Sequence, residues 1–93
     1  MFCKNITKSS IEKDKVYSLP LDEFDGKLSI NANLYGDMID MQLRVYVDRC
    51  LTYYSIMTGS DVELSFNVKV AENSKISFVT NQDAVISFKI YNL

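Results

Sequence analysis

The chain has 93 residues, 47% of them apolar and 24% charged, with one proline, three glycines and a net charge of −2. This is the composition of a single soluble globular domain, and it excludes a linker, a collagen-like repeat and a disordered chain. Ten scattered basic residues against twelve acidic ones argue against nonspecific nucleic-acid binding, whose affinity follows the number of Lys and Arg contacts to phosphate.

Residues 1–15, MFCKNITKSSIEKDK, read as an N-terminal extension. They lack the apolar middle of a signal peptide, and no stretch of about 20 residues in the chain is purely apolar, as a transmembrane helix requires. The expectation is a cytoplasmic protein, with no membrane partner and with Cys3 and Cys50 reduced.

Residues 16–35 read as a hairpin. Asp25-Gly26 lies between two alternating runs and suits the positive φ angles of a type I′ turn. Leu28, Ile30, Ala32 and Leu34 would face inward. Pro20 lacks a backbone donor, so the first strand should be an edge or be interrupted there.

Residues 37–58 read as one long helix. Ile39, Leu43, Tyr46, Val47, Cys50, Tyr54 and Met57 share one arc of a helical wheel. Asp40, Arg44 and Asp48 repeat at i, i+4, i+8 beside it, a spacing that stabilises helices. Gly36 or Asp37 would cap the start, and Gly59 would end it. A hairpin would need a turn near "VDRC", where there is no Gly, Pro or Asn. Alternation from Met41 to Asp48 favours a strand instead. LRVYVDRC (43–50) also resembles a stretch of zona pellucida modules that forms a strand ending in a disulfide cysteine. Those modules are secreted and rich in cysteine, the match covers eight residues, and no family follows from it.

Residues 62–91 read as a three-stranded meander. VELSFNVKV alternates without a break, with Val62, Leu64, Phe66, Val68 and Val70 on one side. Two further strands follow the turns at 72–75 and 81–83, the last burying Ala84, Ile86, Phe88 and Ile90. The expected fold is α+β in one domain, order ββαβββ. It is an antiparallel sheet of about five strands with one helix packed on one face.

No catalytic signature is present. The chain has no histidine, which removes the commonest general base and metal ligand. The two cysteines form no zinc motif, and there is no Gly-rich phosphate loop. "DEFDG" lacks calcium-loop spacing, and Cys50 reads as core filler. No enzyme activity, cofactor or metal is expected.

The expectation is therefore a non-catalytic interaction module that masks a larger protein, as compact inhibitors, immunity proteins and virus- or plasmid-type accessory proteins do. Asp22, Glu23, Asp25, Asp37, Asp40 and Asp48 concentrate acid between Pro20 and Asp48 and would suit a basic partner surface. Met38, Met41, Val45 and Ile56 form a second apolar ridge on the helix, and Met is adaptable at contacts. The alternative is a structural subunit that self-assembles through that ridge or through sheet edges. A third reading is a small-molecule pocket between helix and sheet, lined by Tyr46, Tyr53 and Tyr54. The outer sheet face offers only Tyr35 and Tyr91 as stacking platforms, which is too little for direct single-stranded nucleic-acid binding.

Overall fold

The computed structural model describes residues 3–19, 26–71 and 73–93, and they form one six-stranded antiparallel sheet. Its strands are β1 (Cys3–Ile11), β2 (Tyr17–Ser18), β3 (Gly26–Val47), β4 (Cys50–Val70), β5 (Ile76–Thr80) and β6 (Ala84–Asn92). The order is β1-β6-β3-β5-β2, with β4 on the other side of β3. β5 and β6 lie end to end along one edge of β3, pairing with its second and first halves respectively. β2 and β1 flank them in the same way.

The helix expected over 37–58 does not form. Its residues are the second half of β3, a tight turn at Asp48-Arg49, and the first part of β4, paired from Met41↔Met57 to Val47↔Cys50. The turn residue is Asp48, at φ 57°. Asp is one of the few residues that tolerates the left-handed region, because its short polar side chain can bond locally. Asking for Gly, Pro or Asn near "VDRC" missed it. The fold is all-β among the described residues, and the α+β class is corrected accordingly.

Three other segments also differ from expectation. Among the described residues, 16–35 form no hairpin, since β2 pairs β5 while the start of β3 lies between β6 and β4. Pro20 and Asp25, on which that reading leaned, lie outside the described residues. Residues 62–91 form no meander, because β4 pairs β3 and no pairing joins β5 to β6 among the described residues. Residues 3–11 of the supposed extension are β1. The inward sets nevertheless hold: Leu28, Ile30, Ala32, Leu34, Phe66, Val68, Val70, Ala84, Ile86, Phe88 and Ile90 are all buried.

β3 has 22 residues, which would span about 70 Å if straight. The molecule measures 35 Å along its longest axis. The sheet therefore curls over on itself into a half-barrel, and the bend lies at residues 35–41. Register shifts fall between Leu34 and Asp37 and again between Met38 and Met41, and such bulges bend and twist a strand. Gly36 there has φ 92°, facing Asp61 at φ 52° on β4, and Asp40 has φ 49°. On the other side, Asn81 and Gln82 reach into the break between β5 and β6. Asn81 Oδ1 accepts from Gln42 N at 2.8 Å, and Gln82 Nε2 donates to the Ile39 carbonyl at 2.6 Å. The backbone groups freed by the bulges thus find partners.

The core is the space between the two halves. Leu28, Ile30, Leu34, Leu43, Val45, Phe78, Ile86 and Ile90 are fully buried there. A run of rings crosses it: Tyr53 on Phe66 at 4.3 Å, Phe66 on Phe78 at 6.5 Å, Phe78 on Phe88 at 4.5 Å and Phe88 on Tyr17 at 6.1 Å.

Candidate functional site

Of the acids expected to meet a partner, Asp37, Asp40 and Asp48 are turn and bulge residues. Asp48 joins the hairpin tip to the turn before β5. Its carboxylate accepts from Lys75 N at 3.1 Å and from Ser74 Oγ at 3.2 Å, and its own N–H donates to the Lys75 carbonyl. Asp37 accepts from Ser60 Oγ across the bend, and Asp40 N donates to Thr58 Oγ1 at 3.0 Å. Asp61, which the sequence reading passed over, accepts from Gly36 N at 2.9 Å. Among the described residues, the non-glycine positive-φ positions are Asp14, Asp40, Asp48, Asp61 and Asn73. The choice of Asp thus follows backbone conformation at most of these sites. Asp40 and Asp48 are eight residues apart on an extended strand, roughly 25 Å, so they make no shared acidic surface. Asp22, Glu23 and Asp25 lie outside the described residues.

The expected apolar ridge also divides. Met38, Met41 and Val45 are buried in the core, because strand periodicity sends Met41 and Val45 inward with Leu43 and the bulge at Ile39-Asp40 brings Met38 onto the same face. Ile56 faces out and is 55% exposed, while Ile39, placed on the helical core face, is 73% exposed in a bulge. Cys50 is an exposed free cysteine at the hairpin tip rather than core filler. The tyrosine pocket does not exist either. Tyr53 faces inward onto Phe66, whereas Tyr46 and Tyr54 are paired on the outer face with Leu51 and Arg44.

What the structure does bring together is a strip on β4. Leu51 (55% exposed), Tyr54 (46%) and Ile56 project from the outer face. Their cross-strand neighbours on β3 are Tyr46, Arg44 and Gln42. Val79 of β5 continues the face beyond Arg44. Beside it, an open depression of about 320 Å³ is lined by Val16, Tyr46, Asp48, Arg49, Ser77 and Val79.

The strip runs along an open edge. Among the described residues, no strand pairs with the side of β4 away from β3. Proteins normally blunt such an edge with charge or proline. From Cys50 to Ser60, CLTYYSIMTGS, there is neither. The inner side of this edge is unfinished too: Tyr53, Val62 and Leu64 are only half-buried against the core, while Leu28, Ile30 and Leu34 on the next strand are fully covered.

The outer face of the other half is polar and bonded within itself. Tyr35 and Ser87 hydroxyls lie 2.9 Å apart, Ser65 Oγ donates to Asn31 Oδ1, and Lys8 Nζ sits 4.2 Å from the Tyr35 ring centre. Among the described residues, no three His, Cys, Asp or Glu side chains gather as a metal-holding group, and no helix is long and apolar enough to cross a membrane. Comparison with protein-family models, curated proteins and solved structures finds no match to this chain.

Proposed function

We propose that this protein is a non-catalytic interaction module whose contact surface is the open edge of β4 with its apolar strip. The observation that carries the reading is the charge-free edge from Cys50 to Ser60, with Leu51, Tyr54 and Ile56 exposed on one side and Tyr53 half-covered on the other. An incoming strand would add main-chain hydrogen bonds to the edge, and its side chains would cover the strip. Covering Leu51 and Ile56, each about half exposed already, would contribute roughly 1 kcal/mol apiece.

The corrected geometry moves the contact away from the acids. Asp37, Asp40 and Asp48 keep their charges at the surface but are tied to bulges and a turn, so the match to a basic groove loses its basis. A cytoplasmic setting suits the exposed Cys50 thiol, which in a reducing compartment stays unpaired.

The test is site-directed photo-crosslinking in cells, with a benzoyl-phenylalanine placed in turn at Leu51, Tyr54 and Ile56, and at Asn31 and Ser87 on the polar face. Adducts, to this chain or another, should form from the β4 positions and not from the polar face. Equal yields from both faces, or adducts confined to Asn31 and Ser87, would refute the assignment.

A further inference from the structure

The geometry points to a second copy of this chain as the occupant of the β4 edge, paired antiparallel about a two-fold axis at Ser55. This rests on the reading of β4 as the contact edge and adds the identity of the partner.

The argument begins with charge. In a two-fold antiparallel pair, the residue on the axis meets its own copy and those beside it lie close to theirs, so a charge next to the axis stands close to its own kind. Like charges directly opposite one another destabilise a sheet. A foreign strand sets no such condition, since it can carry the opposite sign. A segment without charge near the axis meets this condition, and the one on β4 runs from Cys50 to Ser60, with Ser55 at its midpoint.

The faces then agree. Rotation about Ser55 sets Tyr54 opposite the partner's Ile56, and Ile56 opposite the partner's Tyr54. Both face outward, and aromatic–β-branched pairs are among the favourable cross-strand combinations. On the inner side Tyr53 meets the partner's Met57, covering the half-buried Tyr53 ring. A shift of the axis by one residue toward the C-terminus sets Tyr54 against the partner's Thr58. A shift the other way sets Ile56 against the partner's Thr52. Both replace the two Tyr–Ile pairs by one self-pair on the axis and two apolar–polar pairs.

The ends agree as well. β4 carries one extra residue near Thr52, where its register against β3 shifts. Allowing for it, Arg49 of each copy reaches residues 60 and 61 of the other, where the partner's Asp61 stands. The first charges met on leaving the uncharged segment are therefore opposite in sign, once at each end. Such a contact unites two open edges in one continuous sheet and is self-complementary, as a two-fold interface must be.

The experiment is light scattering and native mass spectrometry on the full chain, with two outward-facing double variants. Y54K/I56K and Y54E/I56E each place like charges across the axis. The wild type should be a dimer at tens of micromolar. Each variant alone should be monomeric with an unchanged far-UV spectrum, and an equimolar mixture should restore a dimer of mixed mass, with Lys facing Glu. A wild-type monomer at several hundred micromolar would overturn the second copy as occupant, while β4-specific crosslinks to another protein would leave the contact edge itself standing. Dimeric variants, or a mixture that stays monomeric, would overturn the two-fold at Ser55. If either variant unfolds, S55C in a C3S/C50S background gives the answer. Ser55 would lie about 5 Å Cα–Cα from its counterpart, within disulfide range, so mild oxidation should give a covalent dimer. T58C, opposite the partner's Thr52, should not. Oxidised S55C that remains monomeric overturns the inference.

Discussion

Tyr53 and Phe66 belong to the same strand, thirteen positions apart, yet their rings stack at 4.3 Å with only 10° between their planes. In a straight strand they would be roughly 43 Å apart. Their contact measures how completely the sheet folds over, and it places the closure of the fold on two side chains that face each other across the core.

Phe66→Ala should therefore cost more than the removal of a single ring. It deletes the stacking partner of Tyr53 and the edge contact with Phe78. The expected loss is about 3–5 kcal/mol in urea denaturation, well above that of Leu64→Ala on the same strand, which is only half-buried. Equal losses would mean that the two halves do not depend on this ring for their packing.

Met41→Asp and Val45→Asp should each prevent stable folding. Both side chains are buried, Val45 completely, and an unpaired buried carboxylate costs several kcal/mol. Ile39→Asp, at 73% exposure, should shift stability by less than about 0.5 kcal/mol. A helix over 37–58 would give the reverse order for Ile39 and Met41, so thermal melts of the three variants test the strand assignment directly.

At Asp40 and Asp48 the backbone has positive φ. Replacement by Asn or Gly should be nearly neutral in backbone terms, whereas a β-branched residue should cost about 1–2 kcal/mol at each site. Asp48→Val adds the loss of the bonds from Lys75 N and Ser74 Oγ. Chemical denaturation of Asp48→Asn, Asp48→Gly and Asp48→Val should rank them in that order of decreasing stability.

Asn81 and Gln82 hold the inner side of the bend. Gln82→Ala removes the donor to the Ile39 carbonyl, and Asn81→Ala removes both the acceptor for Gln42 N and a donor to the Asp40 carbonyl. Asn81→Ala should destabilise by about 1–3 kcal/mol and raise amide hydrogen exchange at Gln42. Unchanged exchange there would show that the bend stands without this clasp.

Much of the inward pattern was legible from alternation alone. Leu28 to Leu34, Val62 to Val70 and Ala84 to Ile90 read correctly because a strand with one buried face must alternate, wherever its neighbours lie. The segment from Gly36 to Gly59 did not read correctly, for a physical reason. Its bulges at Tyr35-Gly36, Ile39-Asp40 and Thr52 insert single residues into the two-residue period. Broken in this way, the period produces apolar residues at helix-like spacings and charges of alternating sign at i, i+4 and i+8. The signal was present in the Gly and Asp residues that punctuate the run, "YGD", "MID", "VDR" and "TGSD", each at or beside a positive-φ position.

The sequence by itself determined the inward sets of 28–34, 62–70 and 84–90, that the chain carries no histidine, and that the stretch from Cys50 to Ser60 bears no charge. Only the tertiary structure decided that this stretch is an edge, that Met38, Met41 and Val45 are core, and that Leu51, Tyr54 and Ile56 share an outer face. Alternation is a local property, set by the pleat of one strand. Which strand becomes an edge depends on pairings between residues far apart in the chain, here Leu28 with Asn92 and Val47 with Ile76, and no local pattern encodes them.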